Sequence, residues 1–376
     1  MTRLADARVQ AATDDRRFMD LALTLGRRGR GRTWPNPAVG AVIVKDGVIV
    51  GRGWTQDGGR PHGETEALRR AGATARGATL YVTLEPCAHH GKTPPCADAI
   101  IAAGITRVVS ALEDPNPKVA GEGHARLRAA GIAVEVGVGA VEARHDHAGH
   151  ITRMTLGRPS VMLKLAVSAD GKAGGVGRKP LEITGKAARD RVHLLRAQSD
   201  AIAVGVGTVL ADDPLLTCRL PGMTAYSPVR VVFDAKLRSP LASRLVRTAR
   251  EVPLWIMTAP EASPSAEAAL VAHDGVTVLR VASTNGRIVL GAALKLLAEG
   301  GITRLMVEGG PTLAAAFVSA DLVDEAVLFQ SPKNVGADGI DALEGLPLNA
   351  LTQSPQLVSV SCKAVGADMC EIFERR

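Results

Sequence analysis

Apolar and polar positions alternate along this chain with two different periods. Between residues 13 and 26, TDDRRFMDLALTLG places Phe18, Leu21, Ala22 and Leu25 on one helical face, with acids in the first turn, Thr13 as a candidate cap and Gly26 as a stop. The run AVGAVIVKDGVIVGRGW (38 to 54) then reads as two strands joined at Lys45-Asp46-Gly47, a strong hairpin signal. After it, HGETEALRRAG, CADAIIAAG and GHARLRAAG read as helices interleaved with the strands ATLYVTLE, TRVVSAL and AVEVGV. Such alternation predicts an α/β layer with a mainly parallel sheet. The pattern pauses at GAVEARHDHAGHITRMTLGRPS (139 to 160), a helix or linker whose His145, His147 and His150 are expected on a solvent face. A second strand and helix series starts at SVMLKLAVSADGK and continues through DAIAVGVGTV, VRVVFD, PLWIMTA, VTVLRV, ITRLMVEGG and DEAVLFQSP. Two α/β domains are therefore expected, over residues 1–155 and 156–376.

Length agrees, since 376 residues exceed the usual size of one core. Composition changes the picture in two ways. The chain is 46% hydrophobic but only 3% aromatic, so it has much to bury and few rings on which bases could stack. Its formal charge is +7, with 21 Lys and Arg against 16 Asp and Glu over residues 1–155 and 24 against 22 beyond, so anionic ligands are favoured in the first half. Part of that excess is GRRGRGR (26 to 32), read as a solvated turn or a phosphate-binding edge in preference to a nucleic-acid arm. No run approaches the roughly 20 apolar residues of a membrane span, and the N-terminus has no apolar signal core, so a cytoplasmic protein is expected. Five cysteines in a chain of this size suit metal binding or burial better than a disulfide framework.

The densest chemistry lies in LEPCAHHGKTPPCA (84 to 97), together with PHGETEA (61 to 67). His62, Cys87 and Cys96 form a one-imidazole, two-thiolate ligand set for zinc. Three protein ligands leave a position open for water, the catalytic arrangement, and zinc lowers the pKa of that water towards about 7. Glu64, two residues after His62, is placed to carry protons beside the metal rather than to bind it, as in zinc nucleobase deaminases. The short H-x-E pattern is weak alone; with P-C and a second cysteine at a helix start it becomes strong. In the second half, Gly205 and Gly207 follow a strand, but Leu210 occupies the third position of a dinucleotide fingerprint and disfavours a Rossmann site. VEGGPTLA, with Glu308, Gly309, Gly310, Pro311 and Thr312 before a helix, reads as a phosphate cradle.

EPCAHHGKTPPC, NPAVGAVIV (36 to 44) and EDPNPKVAGEG (113 to 123) closely resemble the deaminase domain of the bifunctional riboflavin-biosynthesis deaminase-reductase family. KLAVSADGK, ITGKAARDRVHLLRAQSDAI, VGTVLADDPLLTCR and VEGGPTLA are similar to the reductase half of the same family, in the same order. The resemblance implies a cytidine-deaminase-like α/β/α sandwich followed by a dihydrofolate-reductase-like α/β domain. It implies a substrate that is a phosphorylated pyrimidine: a diaminopyrimidinone carrying a ribosylamino 5'-phosphate, deaminated with zinc and then reduced to the ribityl compound with NADPH. Asn36, His89, Lys92, Asp114 and Asn116 would contact the deaminase substrate. Ala166, Thr208, Asp212 and the run Gly309, Gly310, Pro311, Thr312, Leu313, Ala314, Ala315 would touch NADPH. Arg196, Leu216, Arg219 and Glu308 would line the reductase substrate site, with the two arginines suited to the 5'-phosphate. A homo-oligomer without nucleic-acid or membrane partners is implied as well. Thr55, Pro180 and Glu182 depart from the family pattern, where a histidine, a serine and a tryptophan are frequent. Two other readings predict different features. A nucleic-acid deaminase with a non-catalytic second domain needs stacking aromatics, and an interaction protein with structural zinc needs a fourth ligand and no use for Glu64.

Overall fold

A computed structural model describes residues 2–89, 91, 94–116, 119–178 and 181–376. The chain divides into two compact units, the first ending at Gly157 and the second beginning at Arg158.

In the first unit a five-stranded sheet runs in the spatial order Val48–Trp54, Gly40–Lys45, Thr79–Val82, Arg107–Ser110, Ala133–Val136. The expected hairpin forms at Asp46 and Gly47, both at positive φ (51° and 76°), the backbone a tight two-residue turn requires. The sheet is not mainly parallel. Only the last three strands, joined by the helices Cys96–Ala102 and Glu122–Ala129, are parallel; Gly40–Lys45 pairs antiparallel with both of its neighbours. A hairpin needs no crossover, so it reverses direction where the βαβ repeats cannot.

Glycines set the layers. A Cβ on Gly40 would lie 1.8 Å from the Ala22 carbonyl of the first helix, and one on Gly53 2.3 Å from the Gly63 carbonyl of the helix Gly63–Ala71. Gly53 pairs with Ala41, the residue after Gly40, so the two glycines point to opposite faces. One helix therefore packs on each side, giving the α/β/α sandwich. The first helix is longer than its apolar stripe predicts, Thr2–Gly26, which leaves Thr13 within the helix rather than at its cap.

The second unit is a nine-stranded sheet in the order Val276–Arg280, Leu254–Thr258, Val229–Phe233, Ala201–Gly205, Arg304–Val307, Ser160–Val167, Glu325–Gln330, Asp368–Arg375, Leu357–Val365. The first seven strands are mutually parallel and the last two close it as an antiparallel edge. Ala201–Gly205 and Arg304–Val307 are neighbours, so the helices that follow them, Val206–Asp212 and Pro311–Ser319, start side by side at the carboxyl edge of the sheet. Among the described residues no helix is long and apolar enough to cross a membrane.

Candidate active sites

His62 is the N-cap of the helix Gly63–Ala71, Cys87 follows the strand Thr79–Val82, and Cys96 opens the helix Cys96–Ala102. His62 Nδ1 lies 3.7 Å from Cys87 Sγ and 3.3 Å from Cys96 Sγ, and the Cys96 backbone N–H donates to Cys87 Sγ at 3.3 Å. Zinc bonds of about 2.0–2.3 Å at the tetrahedral angle hold neighbouring donors about 3.3–3.8 Å apart. The donor set has that spacing. The Cys87 thiol is held down to about 4, first by the Cys96 thiol beside it and then by His62 and the Cys96 N–H, while Cys87 and burial push Cys96 well up. Adjacent thiols resist ionising together, and a divalent cation among them removes that conflict.

Glu64 sits in the first turn of its helix, only 3% exposed, with Oε2 lacking any hydrogen-bond partner. Burial raises its pKa, opposed in part by His62. A buried carboxyl oxygen with no protein partner, set among zinc-type donors, is free to exchange a proton with a ligand.

The recognition residues fall around this centre unequally. Asn36 is oriented by donating Nδ2–H to the Gly59 carbonyl at 2.8 Å. His89 is exposed. Lys92 and the neighbouring His90 lie outside the described residues. Asp114 Oδ1 accepts the Asn116 backbone N–H at 2.9 Å, and its loop is tied down by Glu85. That carboxylate accepts four backbone N–H groups, from Asp114, Gly121, Gly123 and His124, at 2.7–3.2 Å. Glu85, Glu113 and His124 also have metal-ligand proximity, but both oxygens of Glu85 are already spent on the backbone. Glu85 was missed in the sequence; its only signal is an acid at the end of an apolar strand.

Thr55 is buried with its hydroxyl committed to the backbone of Val39, so it braces the segment after Asn36. The basic run is a partly solvated turn after the first helix, with Arg27 and Arg28 exposed. Arg27 and Arg30 pair with the buried Asp146, Arg32 pairs with Asp57, and the Arg28 guanidinium lies 5.0 Å from the Trp54 ring centroid. The expectation for the linker histidines fails in part. His145 is half-buried, but His147 is 2% and His150 9% exposed, because the helices Ala140–Asp146 and Ala148–Leu156 turn those rings inward. His147 Nε2 meets Thr83 Oγ1 at 3.1 Å and His150 Nε2 meets Asp114 Oδ1 at 3.3 Å.

In the second unit Thr208, Asp212, Gly310, Pro311, Thr312 and Leu313 line one cleft of about 300 Å³, with Gly205, Gly207 and Leu181. Two helix starts converge there, so unsatisfied N–H groups favour an anion. A Cβ on Gly207 would meet nothing within 4 Å, whereas one on Gly310 would press on Thr208 Oγ1 at 3.3 Å, which already accepts the Gly310 N–H. Ala166 and Gly309 are half-buried outside the lining, and Ala314 and Ala315 do not face the cleft: helical periodicity carries both into the core. Asp212 lies on the rim, its carboxyl pushed up by partial burial. Glu182 points to solvent and pairs with Arg189, so Leu181, not the departing residue, forms the wall; Pro180 lies outside the described residues.

Just before the glycines, Glu308 is gripped by Arg196 through Nε and Nη2 (2.8 and 2.9 Å) and by Lys164 at 3.4 Å. Burial alone would raise its pKa, yet Lys164 and Arg196 bring it down to about 2. Arg196 also donates Nη1–H to the Thr217 carbonyl at 3.1 Å, so three of the five N–H donors of its guanidinium are engaged within the protein. Arg219 is exposed, and partial burial of its guanidinium, followed by the nearby Arg196 and Arg244, holds it below its ordinary value. Its backbone N–H reaches His193 Nδ1 at 3.3 Å, a residue unmarked in the sequence. Leu216 is buried at φ 55°, a strained turn for a residue with a Cβ.

Comparison with known proteins matches both units. Residues 12–112 fit the cytidine and deoxycytidylate deaminase zinc-binding region, and residues 159–371 the RibD C-terminal domain. The chain is 43% identical over 369 residues to the riboflavin biosynthesis protein RibD of Escherichia coli, covering 95% of this chain and 98% of that one. With its counterpart in Aquifex aeolicus it is 42% identical over 361 residues, covering 96% and 98%. Among solved structures, Acinetobacter baumannii RibD superposes with a TM-score of 0.86 at 35% identity, over 97% of this chain and 99% of that chain. A Thermotoga maritima diaminohydroxyphosphoribosylaminopyrimidine deaminase/5-amino-6-(5-phosphoribosylamino)uracil reductase superposes with a TM-score of 0.83 at 36% identity, over 97% and 100%. With a cytidine-deaminase-like unit carrying zinc-type donors and a reductase unit after it, the chain belongs to the RibD family of bifunctional deaminase-reductases of riboflavin biosynthesis.

Proposed function

We propose that the first unit deaminates 2,5-diamino-6-(5-phosphoribosylamino)pyrimidin-4-one and that the second reduces the ribosyl side chain of the product to ribityl phosphate with NADPH. The observation that carries the first step is Glu64 Oε2, buried and unpartnered beside His62, Cys87 and Cys96. Those three residues would hold zinc, which supplies the Lewis acidity that activates water near neutral pH. Glu64 Oε2 would take a proton from the attacking water and return it to the departing amine, being buried beside the donors with no protein partner of its own. Asn36, Asp114 and Asn116 read the polar edge of the ring, and His89 and Lys92 are assigned to the same substrate by the family resemblance.

In the second unit the cleft suits a dinucleotide phosphate, with Gly207 open to it and Thr208 holding Gly310 in place. NADPH bound there supplies a hydride. Glu308, kept ionised by Arg196 and Lys164, accepts hydrogen bonds from sugar hydroxyls, and Arg219 takes the 5'-phosphate. The test is a mass-resolved product assay on zinc-loaded protein with and without NADPH. Ammonia release without NADPH, followed by a gain of two hydrogens when it is added, is expected. Ammonia release with no subsequent gain would overturn the reductase assignment, and no ammonia would overturn the deaminase one.

A further inference from the structure

His150 has no part in the zinc motif, yet it is buried in the first unit with Nε2 3.3 Å from Asp114 Oδ1. Its other nitrogen, Nδ1, is buried without a partner. A proton there would leave a stranded donor, so the ring carries its hydrogen on Nε2 and donates it to the carboxylate. Asp114 Oδ1 is thereby held from two sides, by the Asn116 N–H and by the imidazole, and among the described residues Oδ2 accepts no hydrogen bond. The ring itself is held by its helix, Ala148–Leu156. One turn earlier His147 braces Thr83, whose hydroxyl also accepts the Gly40 N–H.

We infer that His150 is a positioning residue for deamination: it fixes the rotamer of Asp114 so that Oδ2 faces the pyrimidine ring. This rests on the reading of Asp114 as a substrate contact. A loop carboxylate 18% exposed on its side chain would otherwise rotate, and substrate binding would have to restrain it. The effect belongs to ring recognition, not to the zinc chemistry or to reduction.

The experiment measures deamination kinetics, zinc content and NADPH-dependent reduction of the deaminated product in the full chain, for His150→Phe, His150→Gln, Asp114→Asn and the double variant Asp114→Asn/His150→Phe. His150→Phe keeps the ring volume without the donor, and KM for deamination should rise about tenfold with kcat within about twofold, the scale of one charge-assisted hydrogen bond. Zinc content and reduction should be unchanged, which reports that both units are folded. His150→Gln restores an N–H and should bring KM back to within about threefold of the parent. The double variant should bind no worse than Asp114→Asn. If His150→Phe keeps the parent KM while Asp114→Asn raises it, positioning by His150 is wrong and the substrate contact stands. Equal losses in His150→Gln and His150→Phe show packing instead and also overturn it. An unchanged KM in Asp114→Asn removes the substrate contact, and the inference with it.

Discussion

In the first unit the candidate site is built from side chains, His62, Glu64, Cys87 and Cys96, delivered by two helix starts and one loop. In the second, the cleft is mainly backbone and small residues, and Lys164 and Arg196 are both paired with Glu308, which precedes its glycines. The difference teaches what each reaction asks of a protein. The proposed deamination needs a group that moves protons, and Glu64 keeps one buried carboxyl oxygen without a hydrogen-bond partner, at a cost to folding. Hydride transfer takes its chemistry from the cofactor, so the protein supplies only a shaped anionic-ligand cleft and fixed polar groups.

This contrast can be broken at either end. Glu64→Gln should cut deamination about 10²- to 10⁴-fold, the range of a positioned acid or base, while zinc content and reduction of the deaminated product persist. Parallel loss of reduction would show that the two chemistries are not separable. Chelation should act in the same one-sided way. Gly207→Val introduces side-chain atoms where the fold has open space, so NADPH should bind at least about tenfold more weakly with little change in melting temperature. Unchanged cofactor affinity would remove the cleft from NADPH binding. Arg219→Ala should raise KM for the phosphorylated substrate about tenfold and spare NADPH, measured by varying each ligand in turn.

A smaller effect concerns pH and stability. The folded-state pKa of Glu308 is depressed from 4.5 to about 2, so its contribution, roughly 3 kcal/mol, is present above pH 4.5 and is lost as pH falls towards 2. Urea midpoints from pH 7 to pH 3 should decline across that window in the parent. In Glu308→Gln they should start lower, because two cations lose their partner, and vary less with pH. Smallest of all, Thr208→Val strands the Gly310 N–H and should cost NADPH binding about 1 kcal/mol, seen as a severalfold rise in Kd.

The zinc-type centre was legible because each of its residues sits in a short local pattern whose spacing survives folding: H-x-E at a helix start, P-C after a strand, Cys96 at the next helix start. The hairpin was legible for the same reason, since Asp46-Gly47 encodes its own turn. The ion pairs of the basic run were not legible, because four arginines look alike in sequence and only the fold brings Asp146 and Trp54 to them. His147 and His150 misled because a polar composition does not say which face of a helix a neighbouring loop will cover.

Sequence alone thus determined the order of the two α/β units, the three zinc-type donors that meet in the first with Glu64 beside them, and the glycine turns of the second. All of these follow from local backbone preference and from residue chemistry at fixed short spacing. Tertiary structure decided that Arg196 pairs with Glu308, 112 residues away, that Ala314 and Ala315 turn from the cleft, and that His150 meets Asp114. Those outcomes depend on which strands lie side by side and which helix face is buried, and both are settled by burying apolar surface over the whole unit rather than by any one segment.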